Sequence, residues 1–297
     1  MSTYRILQTV ALTLCFSAAY ASDHAILTQA APAANVLDQT PTVNASAGPV
    51  CPQGKVLWYA GEHVKELVDD LAQFDATEQI RHAELDGKGN VKKEVTVKFD
   101  YVVSIAEPEP GTLEVGELRS GLGEEETPEF PGGIATKGLP MLAFVFHPDM
   151  RDNFEMECEG LSTWNDKPAW LMDFKQREDK PHRIEAYLIN KQIFPVSIKG
   201  RAWIDAASFE IVRLESDLVK PMPEIQLYRQ HWAVDYAPVR FPKSKTELWL
   251  PKVAELTFDF RKHHYFRQHT FDRFLLFAVD AQDKAKPPQA PPAPQTP

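Results

Sequence analysis

Nine consecutive residues, Arg261-Lys262-His263-His264-Tyr265-Phe266-Arg267-Gln268-His269, concentrate groups that can hold an anion, bind a metal or move a proton. On a strand, His263, Tyr265, Arg267 and His269 share one face, and His264, Phe266 and Gln268 the other. Two histidines six residues apart stand ~20 Å from each other at ~3.3 Å per residue, so His263 and His269 do not share one metal ion. The stretch reads as a solvated basic strand, or as a polar strand face near a rim that can meet an anionic headgroup. A second cluster, Glu124, Glu125, Glu126 and Glu129, sits in a loop over 121–133. It lacks the alternating ligands and central glycine of a calcium loop. No metal and no cofactor is expected.

The common catalytic signatures are missing: G-x-S-x-G, H-E-x-x-H, the phosphate-binding loop of nucleotide hydrolases and G-x-G-x-x-G. The sequence therefore leans away from an enzyme and leaves open a hydrolase with an unfamiliar site. Cys51 and Cys158 invite a disulfide. The alternative is a buried free thiol, since Cys158 lies on the apolar side of Phe154–Glu159. A formal net charge of −10 argues against a nucleic-acid binder and against general attraction to anionic membrane surfaces.

The elements that would position such groups follow from periodicity. Arg5, the uncharged and mostly apolar Ile6–Ala19, and Ala19-Tyr20-Ala21 match a signal peptide over 1–21, cleaved before Ser22. An uncleaved anchor helix is the alternative. Leu14 is too bulky before Cys15 for a lipidation site. Residues 22–50, rich in Ala, Pro, Thr and Asn, read as a disordered leader, and 282–297 as a Pro-rich disordered tail. The folded domain is expected over 51–281.

Within it, Val64, Leu67, Val68, Leu71 and Phe74 predict an amphipathic helix over Glu62–Phe74. Val95, Val97, Phe99, Tyr101, Val103 and Ile105 alternate with mostly polar residues, giving a long strand that is dry on one face. Asp86-Gly87-Lys88-Gly89-Asn90 is the turn before it. Gly138–His147 (GLPMLAFVFH) has no polar face at any angle, which predicts a buried helix, with Pro140 in its first turn and His147-Pro148 ending it. Further strands are expected over Phe154–Glu159, Ala169–Gln176, Arg183–Asn190, Gly200–Asp205, Phe209–Asp217, Val234–Tyr236, Thr246–Leu250, Glu255–Phe260 and Tyr265–Phe271. The run Phe274–Val279 is a strand or a short buried piece. On Arg183–Asn190, Ile184, Ala186 and Leu188 form one face, with Glu185, Tyr187 and Ile189 opposite. The fold class is α+β and β-dominated: a strongly curved antiparallel sheet around one or two helices, one of them buried.

Lys199–Leu218 (KGRAWIDAASFEIVRLESDL) resembles the W-x-D…R-x-E hairpin of the outer-membrane lipoprotein-carrier superfamily. More closely, Gly132–Pro148, Cys158–Leu161, Val234–Val239, Leu248–Leu256 and His269–Val279 are similar to a family of secreted bacterial proteins without an assigned activity. The resemblance implies an open half-barrel with helices on its concave side, and no catalytic residues.

These readings converge on a secreted protein, placed in the periplasm. Its concave face would bind a lipid, a lipoprotein acyl chain or another apolar ligand, as a carrier or sensor. Leu142, Phe144, Phe146, Trp170, Met172, Phe174 and Trp203 are the candidate ligand-contacting residues. Partners would be an apolar ligand or a lipoprotein, with peripheral membrane contact and no nucleic acid. The alternatives are a protein-interaction or structural module of the envelope with a closed core, and the unfamiliar hydrolase. The concavity is expected to be either open or filled by Leu142, Phe144 and Phe146, which the residues leave undecided.

Overall fold

The computed structural model describes residues 50–71, 73–109, 112–122, 131, 134–137, 139, 142–182, 184–189, 191–241 and 246–277. Residues 1–49, expected to be signal peptide and leader, the glutamates of the acidic loop, part of Gly138–His147 and residues 278–297, with the expected Pro-rich tail, lie outside them. The chain enters through helix α1 (Gln53–Asp70). It starts earlier than the apolar spacing predicts because the carbonyl of Pro52 already accepts from the amides of Lys55 and Val56 at 2.8 and 3.0 Å. Its buried face is Val56, Ala60, Gly61 and Val64. Small residues there allow close approach: a Cβ on Gly61 would stand 3.0 Å from the carbonyl oxygen of Phe146. Phe74, expected at the helix end, belongs instead to the first strand.

Thirteen strands follow among the described residues: β1 (Gln73–Leu85), β2 (Val91–Glu109), β3 (Thr112–Ser120), β4 (Ala135–Lys137), β5 (Phe154–Trp164), β6 (Lys167–Gln176), β7 (Glu185–Ile189), β8 (Gln192–Val196), β9 (Ile198–Asp205), β10 (Ile211–Leu218), β11 (Leu227–Phe241), β12 (Thr246–Phe260) and β13 (His263–Phe277). Ten of them form one sheet in the order β3-β2-β1-β13-β12-β11-β10-β9-β6-β5, and β4-β7-β8 form a second. Every described pairing is antiparallel. The last strand returns to pair with the first, while β3 and β5 remain separate edges, so the large sheet is open. This is the β-dominated α+β architecture that the alternation of residues predicts.

Most hairpins follow turn chemistry visible in the sequence. Asp86 accepts from the amides of Lys88 and Asn90 at 2.8 and 2.9 Å, closing β1–β2. Asp205 does the same for Ala207 and Ser208 between β9 and β10. Strand lengths differ from expectation. Thr246–Leu250 and Glu255–Phe260 are one strand, because the ladder absorbs Pro251 at a register shift: Asp235 faces Val253, and Tyr236 faces Pro251. A bulge tolerates the missing donor of a proline. Strand β11 is likewise longer than Val234–Tyr236, and β13 joins Tyr265–Phe271 to Phe274 and beyond.

The buried segment also has a different form. Leu142–Phe146 is a 3-10 turn rather than an α-helix. His147 does not simply end it. The side chain of His147 caps a second short helix, α2 (Pro148–Arg151), its Nδ1 accepting from the amide of Asp149 at 3.2 Å, with Pro148 in the first turn. Prolines fit that position because its amide would be unbonded anyway. Cys51 and Cys158 are joined in a disulfide that ties the entry of α1 to β5. Gln53 reinforces the same junction, donating to Met156 O at 3.0 Å and accepting from the amide of Cys158 at 3.3 Å.

Candidate functional site

The inner face of the large sheet is built by every second residue of its strands, and α1, α2 and the 3-10 turn lie against it in one apolar cluster. Leu142, Phe144 and Phe146 are 1%, 0% and 0% exposed, so this turn acts as a plug. Phe146 meets Phe174 edge-on at 6.5 Å between ring centroids, and Phe154 closes on the same ring at 5.9 Å. Trp170, Met172 and Phe174 of β6 belong to this cluster.

Six of the seven candidate ligand-contacting residues are thus brought together. Trp203 is not among them. It pairs with Leu171, on the opposite parity to Met172, and packs outside with Ala169, Leu171 and Trp164. Arg213 lies 4.6 Å over the Trp164 ring and 5.9 Å from that of Trp203. None of the seven residues lines either of two surface clefts, of about 70 and 160 Å³, which open beside α1 and beside β8.

The plug shares the interior with an ionic cluster. Glu78 of β1 accepts from Arg119 of β3 at 2.6 and 3.1 Å, and lies 2.7 Å from Nδ1 of His269 on β13. Burial pushes the Glu78 carboxyl up, but Arg119 and His269 outweigh it and hold it at about 2. Burial lowers His269, so its neutral form donates from Nδ1 and presents an unprotonated Nε2, which has no hydrogen-bond partner. Arg267, fully buried, donates to the carbonyls of Ile134 and Pro131 at 3.1 and 2.9 Å and from Nε to Nδ1 of His82 at 3.3 Å. Burial and then the Arg267 charge hold His82 at about 4, so it accepts as a neutral ring.

A histidine oriented by a carboxylate is a familiar base arrangement. Here it is sealed: Glu78, Arg267 and His269 have no solvent exposure, and no described hydrogen bond links His269 to a hydroxyl or thiol. What the cluster can do is hold strands β1, β3 and β13 together and anchor, through Arg267, the chain that leads into the plug. Buried charges with complete partners define one register, since mispairing leaves a charge unmet. Among the described residues, no group of three His, Cys, Asp or Glu is arranged to hold a metal ion.

One sequence reading changes here, and an open one is decided. The Arg261–His269 strand is not a solvated basic face: Arg267 and His269 are core, and only its first residues are exposed. On β7, where alternation leaves the buried face open, that face is Glu185, Tyr187 and Ile189. Partners across the interior decide it. Tyr187 OH donates to Gln230 Oε1 at 2.6 Å, and Trp232 Nε1 donates to Glu185 Oε1 at 3.0 Å. Both bonds fasten the small sheet over β11. Among the described residues no ion pair reaches Glu185, and burial raises its carboxyl to about 7, with the Trp232 hydrogen bond opposing the rise. Glu78 and His82 were legible as anomalies, since they fall on the same parity as the buried Phe74, Ala76 and Ile80.

No protein-family model matches the chain, and no curated protein matches it. Among solved structures it is similar to a DUF1329 family protein from Desulfovibrio piger, at 8% identity and a TM-score of 0.45 over 80% of this chain and 98% of that one. It is also similar to an outer membrane lipoprotein-sorting protein domain from Vibrio parahaemolyticus, at 10% identity and a TM-score of 0.44 over 78% and 97%. A LolA superfamily protein from Nitrosomonas europaea matches at 9% identity and a TM-score of 0.40 over 80% and 99%. The lipoprotein-sorting and LolA descriptions of the last two match the resemblance read from Lys199–Leu218. At such identities and scores the likeness assigns no ligand.

Proposed function

We propose that this chain is a secreted envelope protein that takes up an apolar chain, such as the acyl chain of a lipid or lipoprotein, on the inner face of its open sheet. One observation carries the reading: a wholly apolar five-residue turn, Leu142–Phe146, fills the inner face of a sheet whose edges do not close. The plug has the chemistry of the ligand it would yield to. Residues 51–281 form the binding unit. Leu142, Phe144, Phe146, Trp170, Met172 and Phe174 would meet the ligand or move to admit it, and Trp203 would support β6 and β9 from outside.

The exchange is energetically balanced. Burying each Leu or Phe stabilises by about 1.5–3 kcal/mol, so expelling the plug's large side chains costs roughly 6–12 kcal/mol. An acyl chain gains about 0.8 kcal/mol per buried methylene, so a chain of roughly 8–15 carbons offsets the loss. The disulfide supports an oxidising compartment, and the Arg5–Ala21 pattern supports export, which together point to the periplasm. Transfer to or from a membrane would need only peripheral contact.

The complete burial of Leu142, Phe144 and Phe146 favours a second reading, a closed-core interaction module of the envelope. Native mass spectrometry separates the two. Protein exported to the periplasm, purified gently and incubated with an N-palmitoyl lipopeptide, should carry one lipid mass per chain. A clean unliganded mass after that incubation leaves only the closed-core module.

A further inference from the structure

Three connections lie in a row along one end of the large sheet: residues 86–90 between β1 and β2, 261–262 between β12 and β13, and 219–226 between β10 and β11. The β7–β8 turn of the small sheet joins them, because Ile189, Gln192 and Phe194 share the cleft of about 160 Å³ with Ile225, Gln226 and Arg261. The amide of Arg261 donates to Gln226 O at 2.9 Å, which fixes two of these turns to each other. The described carboxylates at this end are largely engaged. Glu84 meets Lys92 and His263, and Asp259 meets Arg229 and His264. Asp86 accepts from the amides of its own turn. Lys88, Lys191, Arg261 and Lys262 are left facing water, with Glu224 as the carboxylate that lines the cleft.

Two further observations set this end apart. Arg261 and Lys262 form a two-residue hairpin turn with φ of 50° and 65°. Such turns favour Asn and Gly, so the turn itself does not call for two long cations. Exposed apolar side chains also accompany the charges: Ile193 beside the Lys191 turn is 55% exposed, and Tyr228 at the start of β11 is 47% exposed. The formal net charge of −10 does not cancel this end, because acidic groups gather elsewhere. Glu62, Asp69 and Glu107 surround Lys65. Glu107 lies near the far end of β2, roughly 50 Å from Val91 at ~3.3 Å per residue. Charges are screened beyond ~8–10 Å at physiological salt, so a surface laid against the basic end meets its cations.

We propose that this end of the molecule docks on a bilayer rich in anionic phospholipid. Lys191, Arg261 and Lys262 would meet headgroup phosphates, and Ile193 and Tyr228 would enter the boundary between headgroups and acyl chains. Tyrosine suits that boundary, with an apolar ring and a hydroxyl that stays wet. Lys and Arg side chains near an anionic leaflet each add to binding. Glu224 stands among them with the opposite sign and weakens docking. The purpose of docking rests on the proposed uptake of an acyl chain. Its measurement does not, since vesicle binding requires no movement of the plug.

The test is flotation of the whole chain with vesicles made of equal parts phosphatidylglycerol and phosphatidylcholine, against vesicles of phosphatidylcholine alone. The chain should float with the anionic vesicles at low salt and be released at high salt. Lys191→Gln, Arg261→Gln and Lys262→Gln should each weaken binding ~5-fold, and together ~100-fold. Glu224→Gln should strengthen it several-fold. Ile193→Ser with Tyr228→Ser should weaken it at every salt concentration. These side chains are exposed, so the variants keep the fold. Lys65→Gln, at the acidic far end, should leave binding unchanged. Equal flotation with both vesicles, a triple variant that binds as wild type, or Lys65→Gln weakening binding as much as Lys262→Gln would each overturn the assignment. Capture by dextran sulfate without vesicle binding would assign the cations to an acidic polymer and overturn lipid docking.

Discussion

Glu185 lies on the buried face of the small sheet with one oxygen bonded to Trp232 and the other, Oε2, without a hydrogen-bond partner. Its carboxyl is raised to about 7 from an ordinary 4.5, by burial. The folded state therefore binds a proton more tightly than the unfolded state does between those values. The stability this residue permits is present in full below about pH 4.5 and is lost as pH rises through about 7. Glu185→Gln keeps the acceptor for Trp232 and removes the charge. It should leave stability near pH 5 unchanged and raise it above pH 8 by on the order of 3 kcal/mol, read from urea midpoints across that range. Glu78 has the opposite sign. Its carboxyl is held at about 2, so its contribution is present above about pH 4.5 and is lost as pH falls through 2. Glu78→Gln removes the charge facing Arg119 and His269, and should cost roughly 3–5 kcal/mol at pH 7, as breaking a buried pair does. An acid-unfolding midpoint that moves upward in the variant would agree. An unchanged melting temperature at pH 7 would not. Residue types foretold none of these roles. The parity of β1 carries a signal for Glu78 and His82, which share a face with Phe74, Ala76 and Ile80, but none marks Glu185 and Tyr187, whose partners, Trp232 and Gln230, lie some 45 residues away in sequence.

At the scale of elements, the plug was legible as buried because all its residues are apolar, and its form was not. Its bonds span three residues, as from the His147 amide to Phe144 O at 3.0 Å, where an α-helix spans four, and His147 ends it by capping α2. Phe144→Ala would leave a cavity beneath α1 and should destabilise by about 3–5 kcal/mol, with the larger consequence of loosening the plug and strengthening uptake of an acyl chain. Calorimetry and a fluorescent fatty-acid titration on the same sample read both effects. Strands were legible wherever period two runs unbroken, as at Phe99, Tyr101 and Val103, which are all buried. They were cut short wherever a proline fell inside them. Pro251 interrupts the alternation of β12, and only the register shift opposite Asp235 and Tyr236 shows that the ladder continues.

At the scale of the molecule, one covalent and one ionic tie hold the sheet to its contents. The disulfide spans 107 residues, from the start of α1 to β5. Replacing Cys51 and Cys158 by Ser together should cost about 4–5 kcal/mol in the chain-entropy account, visible as a lower urea midpoint with an unchanged near-ultraviolet spectrum before unfolding. An open antiparallel sheet was legible in the alternation of residues, and the half-barrel only as what the resemblance at Lys199–Leu218 implies. Whether the concavity is vacant or filled was not, since ligand-binding and core faces share one pattern of residues. The central claim is that Leu142–Phe146 leaves the inner face when an acyl chain enters. Hydrogen–deuterium exchange of the amides over 142–147, with and without a saturating N-palmitoyl lipopeptide, tests it directly. In the free protein the His147 amide donates to Phe144 O at 3.0 Å and should exchange slowly. Lipopeptide should speed exchange across 142–147 while β6 stays protected. Exchange over 142–147 that is unchanged or slower at saturating lipopeptide would contradict displacement of the plug.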